Sequence, residues 1–516
     1  MVSQIITSTV VGIDSYKILV EVDLVQSIPS VIIVGLPDTA VSEAKERVRS
    51  AIKNSGYSFT NQKIVINLAP ADLKKAGTNY DLPMAIGILA RDGIIDENLI
   101  QKTAFLGELS LDGSLRAVNG VLPIVSGLKD FGLEQVVVPK ENAKEAALVP
   151  NIKVLSAETL RDVVCHFTIN KEEQKNLEIC EVDIEDFLNE YSTTNFEYDF
   201  KDIKGQIKAK KALEIAAAGG HNILMSGPPG SGKTLLSKTF ASILPPLELE
   251  EAIELTKIYS VAGLLHSDSP LVNKRPFRSV HHTASPAGII GGGSNPRPGE
   301  ITLAHKGVLF LDEIVEFPRT VLEVLRQPLE DSEVVISRAQ SSVKYPADFM
   351  LLGAMNPCPC GYLGDTKKQC TCNDFQIQRY RARLSGPLLD RIDIQIEVPR
   401  LSTDELLNTN IKCETSEQIR KRVVKARKIQ AERYKNLPFF TNSQLTAEHI
   451  KEFCKLDEKS ETLLRSAITK FNLSGRSYDR ILKLARTIAD LQECENIESS
   501  HIAQALQYRN FVENNG

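Results

Sequence analysis

The feature that most constrains this 516-residue chain is a glycine-rich octapeptide near its middle. Its residues fit the pattern G-x-x-x-x-G-K-[ST] of a phosphate-binding loop: Gly227-Pro228-Pro229-Gly230-Ser231-Gly232-Lys233-Thr234. The apolar run Asn222 to Met225 predicts a strand before this loop, and Leu235 to Phe240 predicts a helix after it. Glycines let backbone N–H groups turn toward phosphates, and a helix N-terminus favours anions. The chain is therefore predicted to bind ATP, with Lys233 on the terminal phosphates and Thr234 on Mg²⁺.

The composition is that of an ordinary globular protein, with 42% hydrophobic and 25% charged residues and a net charge of −5. We find no apolar run that could cross a bilayer and no secretory signal, so we expect a cytoplasmic protein without a membrane partner. Because the net charge is negative, a site for nucleic acid must be local rather than spread over the chain. The odd count of nine cysteines argues against a disulfide framework.

Residues 1–168 alternate predicted strands and helices, which indicates an α/β domain. The segment Gly107 to Arg116 resembles the matching segment of the Lon protease domain, which implies a ribosomal-S5-like fold. A Lon-type protease needs a serine nucleophile and a lysine. The corresponding positions hold Asp81 and Leu122. We therefore expect a fold without the catalytic dyad, used for assembly or for binding a partner.

Residues 169–198 are rich in Asp and Glu and predict a solvated linker. The chain then restarts, and residues 199–400 are predicted to form an ATPase core. The segment Asp202 to Gln206, followed by the helical run Ile207 to Ala218, resembles the start of AAA+ ATPase domains. That resemblance implies that the adenine base lies against this segment.

A pair of carboxylates follows another apolar strand, Gly307 to Leu311. Such an uninterrupted apolar run predicts a central parallel strand that is buried on both faces. Carboxylates at its end are costly to bury unless they have a function. We predict that Asp312 supports the Mg²⁺ held by Thr234, and that Glu313 is the general base for the attacking water.

The AAA+ resemblance implies roles for three further side chains. Asn356, at the end of the apolar strand Phe349 to Met355, corresponds to the residue that orients the attacking water. Arg391 corresponds to the arginine that reaches the γ-phosphate of a neighbouring subunit. Arg381 and Arg383 are alternatives for that task.

Residues 401–516 are predicted to form a helical lid domain. Arg476, at the start of a helix in this domain, is the first candidate for a second nucleotide sensor, and Arg480 is the alternative.

Across nearly its whole length the chain resembles the magnesium-chelatase-like AAA+ ATPases of the YifB/ComM family. The most specific motif runs from Phe277 to Ser285 and from Gly291 to His305. The resemblance implies an S5-like (Lon protease-like) domain, a P-loop ATPase domain with a parallel sheet and a helical lid. It also implies a hexameric DNA helicase that promotes branch migration when incoming DNA recombines during natural transformation. The alternatives are a magnesium-chelatase-like motor or protein remodeller, and a nucleotide-gated scaffold.

Four cations are candidates for contacts with DNA phosphates. Two lie in the glycine-rich motif, which is expected to face a ring pore, and two flank the tip of a predicted β-hairpin: Arg278, Arg297, Arg338 and Lys344. A hairpin with a merely solvated tip is the alternative. The basic run Ile419 to Asn436 is either a further DNA surface or a solvated helix face.

Four of the nine cysteines form the pattern C-x-C-x9-C-x-C, namely Cys358, Cys360, Cys370 and Cys372. Four thiolates in one short loop can close a tetrahedral Zn²⁺ site of structural type. The alternative is a cluster of free thiols, because the spacing is less typical than paired C-x2-C motifs. The adjacent pair His281-His282 has no further ligands at metal spacing, and a metal site is not favoured there.

Overall fold

The computed structural model describes residues 2–189, 196–293, 296–337, 342–402, 405, 413–471 and 473–509. Nineteen strands are present among these residues. Ten belong to the N-terminal part: β1 Ser3–Val11, β2 Asp14–Val25, β3 Ser30–Val34, β4 Lys63–Ala69, β5 Thr103–Phe105, β6 Glu108–Leu109, β7 Leu115–Arg116, β8 Gln135–Pro139, β9 Lys153–Ala157 and β10 Glu178–Cys180. Nine belong to the rest: β11 Ile223–Ser226, β12 Phe277–Val280, β13 Gly291–Gly292, β14 Arg297–Pro298, β15 Val308–Leu311, β16 Glu333–Ser337, β17 Ser342–Pro346, β18 Met350–Met355 and β19 Ile394–Glu397.

The described helices belong to an N-terminal part, an ATPase part and a lid. The N-terminal helices are Thr39–Asn54, Asp81–Arg91, Glu97–Ile100, Val121–Leu128, Ala143–Ala146, Leu160–Phe167 and Ile184–Asn189. The ATPase part contains Ile207–Gly219, Lys233–Phe240, Leu249–Ala262, Pro286–Ile290, Glu300–Leu303, Arg319–Val324, Pro328–Asp331, Asp374–Arg381 and Gly386–Leu389. The lid contains Ser416–Arg433, Ala447–Phe453, Glu458–Phe471, Gly475–Leu491 and Ser499–Gln507.

The N-terminal part is an eight-stranded mixed sheet in the order β10-β9-β8-β5-β1-β2-β4-β3. Its centre is the antiparallel pair β1–β2, in which Ser3 lies opposite Val22. The tight turn between them uses Gly12, whose φ of 72° suits glycine. Phe105 and Leu109 belong to two separate short strands, β5 and β6.

Part of the acidic segment that was assigned to a solvated linker is folded. Strand β10 pairs with β9 antiparallel, and the helix Ile184–Asn189 follows. Apolar side chains of this segment, Val182 and Phe187 among them, pack on the core between the N-terminal and ATPase parts. The linker prediction is therefore wrong for these elements. The apolar residues scattered among the acidic ones pack against this core and hold the segment in place.

The ATPase part is built on a five-stranded parallel sheet in the order β12-β15-β18-β11-β19. The strands β11, β15 and β18 are buried along their whole length, as the apolar runs predicted. Their carboxyl ends meet at one edge of the sheet, which we call the phosphate edge. The residues that follow these three strands, Gly227, Asp312 and Asn356, therefore lie close together.

The lid packs directly on this sheet domain. One hydrophobic core includes residues of the helix Ile207–Gly219, of the sheet and of the lid helices Ser416–Arg433 and Gly475–Leu491. A second contact joins the N-terminal helix Val121–Leu128 to the ATPase helix Leu249–Ala262. Within the described ranges, no helix combines the length and the apolar character needed to cross a bilayer.

Candidate nucleotide site

The phosphate loop (residues 227–234) leaves β11 and leads into the helix Lys233–Phe240, as predicted. Gly230 and Gly232 have φ values of 77° and 93°, a region that side-chain-bearing residues rarely adopt. An added Cβ at either glycine would meet no atom within 4 Å, so the loop borders open space. The backbone conformation and this space fit a bound phosphate chain.

Lys233 occupies the centre of the loop. Its Nζ donates hydrogen bonds to the carbonyl oxygens of Gly227 (2.7 Å) and Pro228 (3.1 Å) and to Asn356 Oδ1 (3.4 Å). Burial lowers the pKa of the Lys233 ammonium, and the nearby carboxylates of Asp312 and Glu313 oppose this shift. The structure thus joins the phosphate loop to the predicted water-orienting residue.

Thr234 and Asp312 form the second link across the phosphate edge. Thr234 Oγ1 donates a hydrogen bond of 3.0 Å to Asp312 Oδ2. A hydroxyl and a carboxylate oxygen are ligands that suit Mg²⁺. These two side chains fit the metal, and the Mg²⁺ that they would hold neutralises negative charge on the phosphates during transfer.

Gln206 fastens the segment that was predicted to lie beside adenine. Its Nε2 donates to the carbonyl oxygens of Ser231 (3.2 Å) and Pro399 (2.7 Å). Gln206 is buried and has a φ of 52°. It therefore ties the start of the ATPase part to the phosphate loop.

Glu313 directly follows Asp312, with a φ of 50°, and its side chain is half exposed. The Nδ1 atom of His282 lies 3.5 Å from Glu313 Oε2. His282 follows β12, which pairs in parallel with β15, and this brings the ends of the two strands together. We did not predict this contact, because the order of the strands in the sheet is not visible in a single sequence.

Arg391 lies at the opposite edge of the parallel sheet. Asn222, which precedes β11, donates from Nδ2 to the Arg391 carbonyl oxygen (2.9 Å). The Arg391 side chain is buried, donates to the Pro387 carbonyl oxygen (2.8 Å) and forms an ion pair with Glu330. A four-residue strand such as β11 spans about 13 Å. Arg391 is therefore separated from the phosphate loop of the same chain by the length of the sheet.

The two sensor candidates are at this same edge. Arg476 Nη1 lies 3.5 Å from Asp390 Oδ2, and Arg480 forms an ion pair with the buried Asp393. Together with Arg391 and Glu330 they line a cavity of about 650 Å³. The alternative residues Arg381 and Arg383 are elsewhere: Arg381 Nε contacts the Pro357 carbonyl oxygen (3.4 Å), and Arg383 pairs with Glu316 (2.8 Å).

Comparison with known proteins agrees with this architecture. Three family models match consecutive parts of the chain: subunit ChlI of Mg-chelatase over residues 20–142, magnesium chelatase subunit ChlI over 199–406 and its C-terminal region over 413–509. Competence protein ComM of Haemophilus influenzae is 44% identical over 97% of this chain and 96% of its own length. YifB of Escherichia coli is 40% identical over 98% and 96%.

The chain belongs to the YifB/ComM family of magnesium-chelatase-like AAA+ ATPases. The family implies ATP and Mg²⁺ as its cofactors, in agreement with the phosphate edge. Lon protease 2 of Bacillus subtilis is 29% identical over 37% of this chain and 39% of its own length. The predicted α/β fold with Lon-like and parallel-sheet ATPase parts is confirmed.

In this YifB/ComM chain, the position of the protease nucleophile is structural. Asp81 is buried and accepts hydrogen bonds from Arg47 Nε (2.7 Å), Arg47 Nη2 (3.0 Å) and the Leu109 N–H (3.2 Å). Burial raises the pKa of Asp81 to about 6, against the effect of Arg47. Leu122 is buried in the helix Val121–Leu128. Asp81 and Leu122 therefore do not form a serine–lysine catalytic dyad.

The predicted DNA cations differ in availability. Arg278 forms a two-pronged ion pair with Glu300 (2.7 and 2.8 Å) and is half buried. Lys344, on the confirmed hairpin β16–β17, forms an exposed ion pair with Glu333 (3.1 Å). Arg297 is exposed on β14, and Arg338 falls outside the described residues.

Three cations of the basic run Ile419 to Asn436 contact other parts of the chain and help to pack the helix Ser416–Arg433. Arg422 binds Glu214 and Glu414, Arg427 donates to the Ala217 carbonyl oxygen, and Arg433 binds Asp490. These partners belong to neighbouring elements of the same chain. These contacts indicate that the helix holds the lid in place, and they argue against its use as a DNA-binding surface.

The four clustered cysteines converge as the sequence suggested. All their Sγ atoms lie within 4.8 Å of one another: Cys358, Cys360, Cys370 and Cys372. None is part of a disulfide. Their loop leaves the phosphate edge directly after Asn356.

Proposed function

We propose that this chain is the subunit of a ring-forming AAA+ ATPase, with six subunits, that couples ATP hydrolysis to movement along DNA. In this proposal it acts as a helicase that promotes branch migration of recombination intermediates during natural transformation. The proposal of a ring rests on one observation: Arg391 lies far from the phosphate edge of the same chain. One subunit cannot complete its own site with that arginine, but a neighbour in a ring can supply it.

The chemistry follows from the positions of the side chains. Lys233 would leave the carbonyl oxygens of its own loop and bind the terminal phosphates. Glu313 would accept the proton of the attacking water, while the amide of Asn356 holds that water in line. Arg391 of the next subunit would stabilise the charge that develops on the phosphoryl oxygens. Arg476 remains our prediction for the second sensor and Arg480 the alternative; both lie beside Arg391 and would act on the same neighbouring nucleotide.

The DNA part of the proposal depends on two projections from the ATPase core. The hairpin β16–β17 carries the exposed Lys344, and the pair β13–β14 carries the exposed Arg297. Such cations on flexible stems suit sequence-independent contacts to phosphates. The relative ComM is called a competence protein, which supports a role in natural transformation.

A direct test is the steady-state rate of ATP hydrolysis with and without single-stranded DNA, over a series of salt concentrations. We expect strong stimulation that fades as salt rises, because phosphate contacts release counterions. Hydrolysis that is unaffected by DNA at every salt concentration would contradict the DNA motor. An Arg297→Ala variant should lose part of the stimulation and keep the rate without DNA.

One observation favours a second candidate, a motor that remodels a protein partner. Arg278 and three cations of the basic lid helix, Arg422, Arg427 and Arg433, are already bound by carboxylates or carbonyl oxygens of the same chain. The surface for DNA is thus smaller than the sequence suggested. Stimulation of ATP hydrolysis by a protein fraction, with none by DNA, would favour this candidate.

A further inference from the structure

The loop of residues 358–372, here called the cysteine loop, connects the strand that ends at Asn356 to the helix Asp374–Arg381. The Sγ atom of Cys358 lies 3.4 Å from that of Cys360 and 3.7 Å from that of Cys370, and Cys360 lies 3.6 Å from Cys370. Sulfur atoms at the corners of a tetrahedron with Zn–S bonds of about 2.3 Å lie about 3.8 Å apart. Three of the thiols are thus spaced as ligands of one ion, and Cys372 Sγ lies within 4.8 Å of the other three.

The backbone around these thiols also suits metal-bound thiolates. The Cys360 N–H points at Cys372 Sγ and the Cys372 N–H at Cys370 Sγ, each at 3.4 Å. Such N–H donors orient thiolates and stabilise their negative charge. A site of four sulfur ligands selects zinc or iron–sulfur chemistry over magnesium. An ion with four protein ligands has no open coordination position, which is typical of a structural metal site.

The cysteine loop is packed against the phosphate loop. A Cβ added to Gly361 would lie 2.9 Å from Pro229 Cδ and 3.8 Å from Asn356 Cγ, so a side chain at this position would collide with Pro229 and Gly361 lies close to both segments. Gly361 has a φ of 84°, which further favours glycine there. The residue that directly follows Cys360 therefore packs against Pro229 and supports the phosphate loop from that side.

A second connection runs through Arg400. Its Nη2 donates to the Pro229 carbonyl oxygen (3.1 Å) and lies 3.2 Å from Asp365 Oδ2. The Asp365 side chain has no exposed surface. One arginine therefore joins the cysteine loop to the phosphate loop, and the position of Asp365 depends on how its loop is held.

We propose that Cys358, Cys360, Cys370 and Cys372 bind one Zn²⁺, and that this ion braces the phosphate loop through Gly361, Asp365 and Arg400. Loss of the metal then allows Gly361 to move away from Pro229, and nucleotide binding becomes weaker. The second half of this inference rests on the proposed ATP site; the first half does not.

The metal is tested first, by elemental analysis of protein purified without chelators. The expected result is one zinc per chain, no zinc in a Cys370→Ser/Cys372→Ser variant and full zinc in the control Cys494→Ser, whose thiol lies outside the loop. Iron in place of zinc, or a chain that neither carries nor takes up zinc, would overturn the assignment. Retention of zinc by the double variant would do so as well.

The brace is tested by nucleotide affinity, measured with a fluorescent ATP analogue in Mg²⁺ buffer. The same wild-type protein is compared as purified, after removal of zinc by a chelator that is then separated by gel filtration, and after zinc is returned. We expect the Kd to rise by about tenfold or more on removal and to recover on return, since small displacements in a binding loop are costly. This comparison avoids a variant that fails to fold.

The outcomes separate the two proposals. An unchanged Kd in zinc-free protein overturns the brace, while the zinc content stands on its own. A wild-type chain with full zinc and no detectable ATP binding overturns the proposed nucleotide function instead. An Asp365→Asn variant should keep its zinc and still bind nucleotide more weakly; normal affinity in that variant would contradict the path through Arg400.

Discussion

His282 Nδ1 lies 3.5 Å from Oε2 of Glu313, the predicted general base. The His282 ring stands edge-on to Phe317, with ring centroids 6.4 Å apart, and beside His281 at 4.1 Å. These neighbours limit the positions that the imidazole can take. His282 also lies in the motif Phe277 to Ser285, which is expected to face a ring pore. It is thus placed beside the carboxylate that we expect it to orient.

We predict that His282→Ala lowers kcat about tenfold because Glu313 loses the group that orients it, while the affinity for ATP stays the same. His282→Asn, which keeps a polar side chain near Glu313, should recover part of the rate. The measurement is steady-state hydrolysis together with nucleotide titration. The control is His281→Ala, whose Nδ1 contacts Thr283 Oγ1 at 2.9 Å and has no contact to Glu313. Equal rates for wild type and His282→Ala would contradict this role.

The Glu313→Gln variant should bind ATP normally and hydrolyse it about 100-fold more slowly or worse, because glutamine cannot accept the proton of the attacking water. Single-turnover hydrolysis and nucleotide titration measure the two effects separately. Glu316→Gln is the matched control, since Glu316 lies in the same short segment and pairs with Arg383 at 2.8 Å. Normal turnover by Glu313→Gln would remove the assignment of the base.

Much of the phosphate edge was predictable because parallel strands that are buried on both faces appear in the sequence as apolar runs. The strands β11, β15 and β18 are of this kind: β11 leads into the phosphate loop, and β15 and β18 are followed by the predicted polar residues Asp312 and Asn356. The same criterion missed β1, in which Thr7 and Ser8 are fully buried. Their hydroxyls donate to the carbonyl oxygens of Phe105 and Tyr16, both at 2.9 Å. Such tertiary partners cannot be recognised in a local pattern.

The charged residues show the same limit. Arg278 appeared available for DNA because Glu300 is 22 residues away in sequence, yet the fold joins the two side chains. The contact between His282 and Glu313 depends on β12 lying next to β15, a neighbour relation that strand patterns do not give. Fold class and residue types at the strand ends were therefore predictable, whereas partners of individual side chains were not.

The position of Arg391 predicts complementation between subunits. Arg391→Ala and Lys233→Ala should each reduce ATP hydrolysis by a factor on the order of 10³. A mixture of the two should regain activity, because a phosphate loop of the first variant can meet Arg391 of the second. Hydrolysis by the mixture, compared with each variant alone, is the measurement. A mixture as inactive as its components would contradict an arginine that acts on the neighbouring subunit.

Loss of the Arg391–Glu330 ion pair alone should not explain that defect. Glu330→Gln removes the partner and leaves the arginine, so it should retain most of the activity. Its side chain is 60% exposed, and exposed ion pairs contribute little to stability. Inactive Glu330→Gln together with a failed mixture would assign Arg391 a structural role instead.

Asp393 connects the sheet to the lid and makes stability depend on pH. Its carboxylate lies 3.3 Å from His221 Nδ1, accepts from the Asn222 N–H (3.2 Å) and forms an ion pair with Arg480. Burial alone would raise the pKa of Asp393, but the charge of Arg480 and the hydrogen bond from His221 outweigh it and hold the pKa well below its usual range.

A depressed pKa means that the unfolded chain binds the proton more readily than the folded one. The stabilisation by Asp393 is therefore complete above the unfolded pKa of about 4 and is lost as the pH falls below that value. Asp393→Asn should destabilise the protein by about 3 kcal/mol or more at pH 7, because Arg480 is left without its buried partner. Urea midpoints at pH 7, 5 and 3.5 should show a constant deficit between the first two values and a smaller one at pH 3.5.

Asp390→Asn, which removes the exposed pairing with Arg476, should cost less than about 1 kcal/mol at every pH. A deficit for Asp393→Asn that grows toward pH 3.5 would contradict the assigned direction of the pKa.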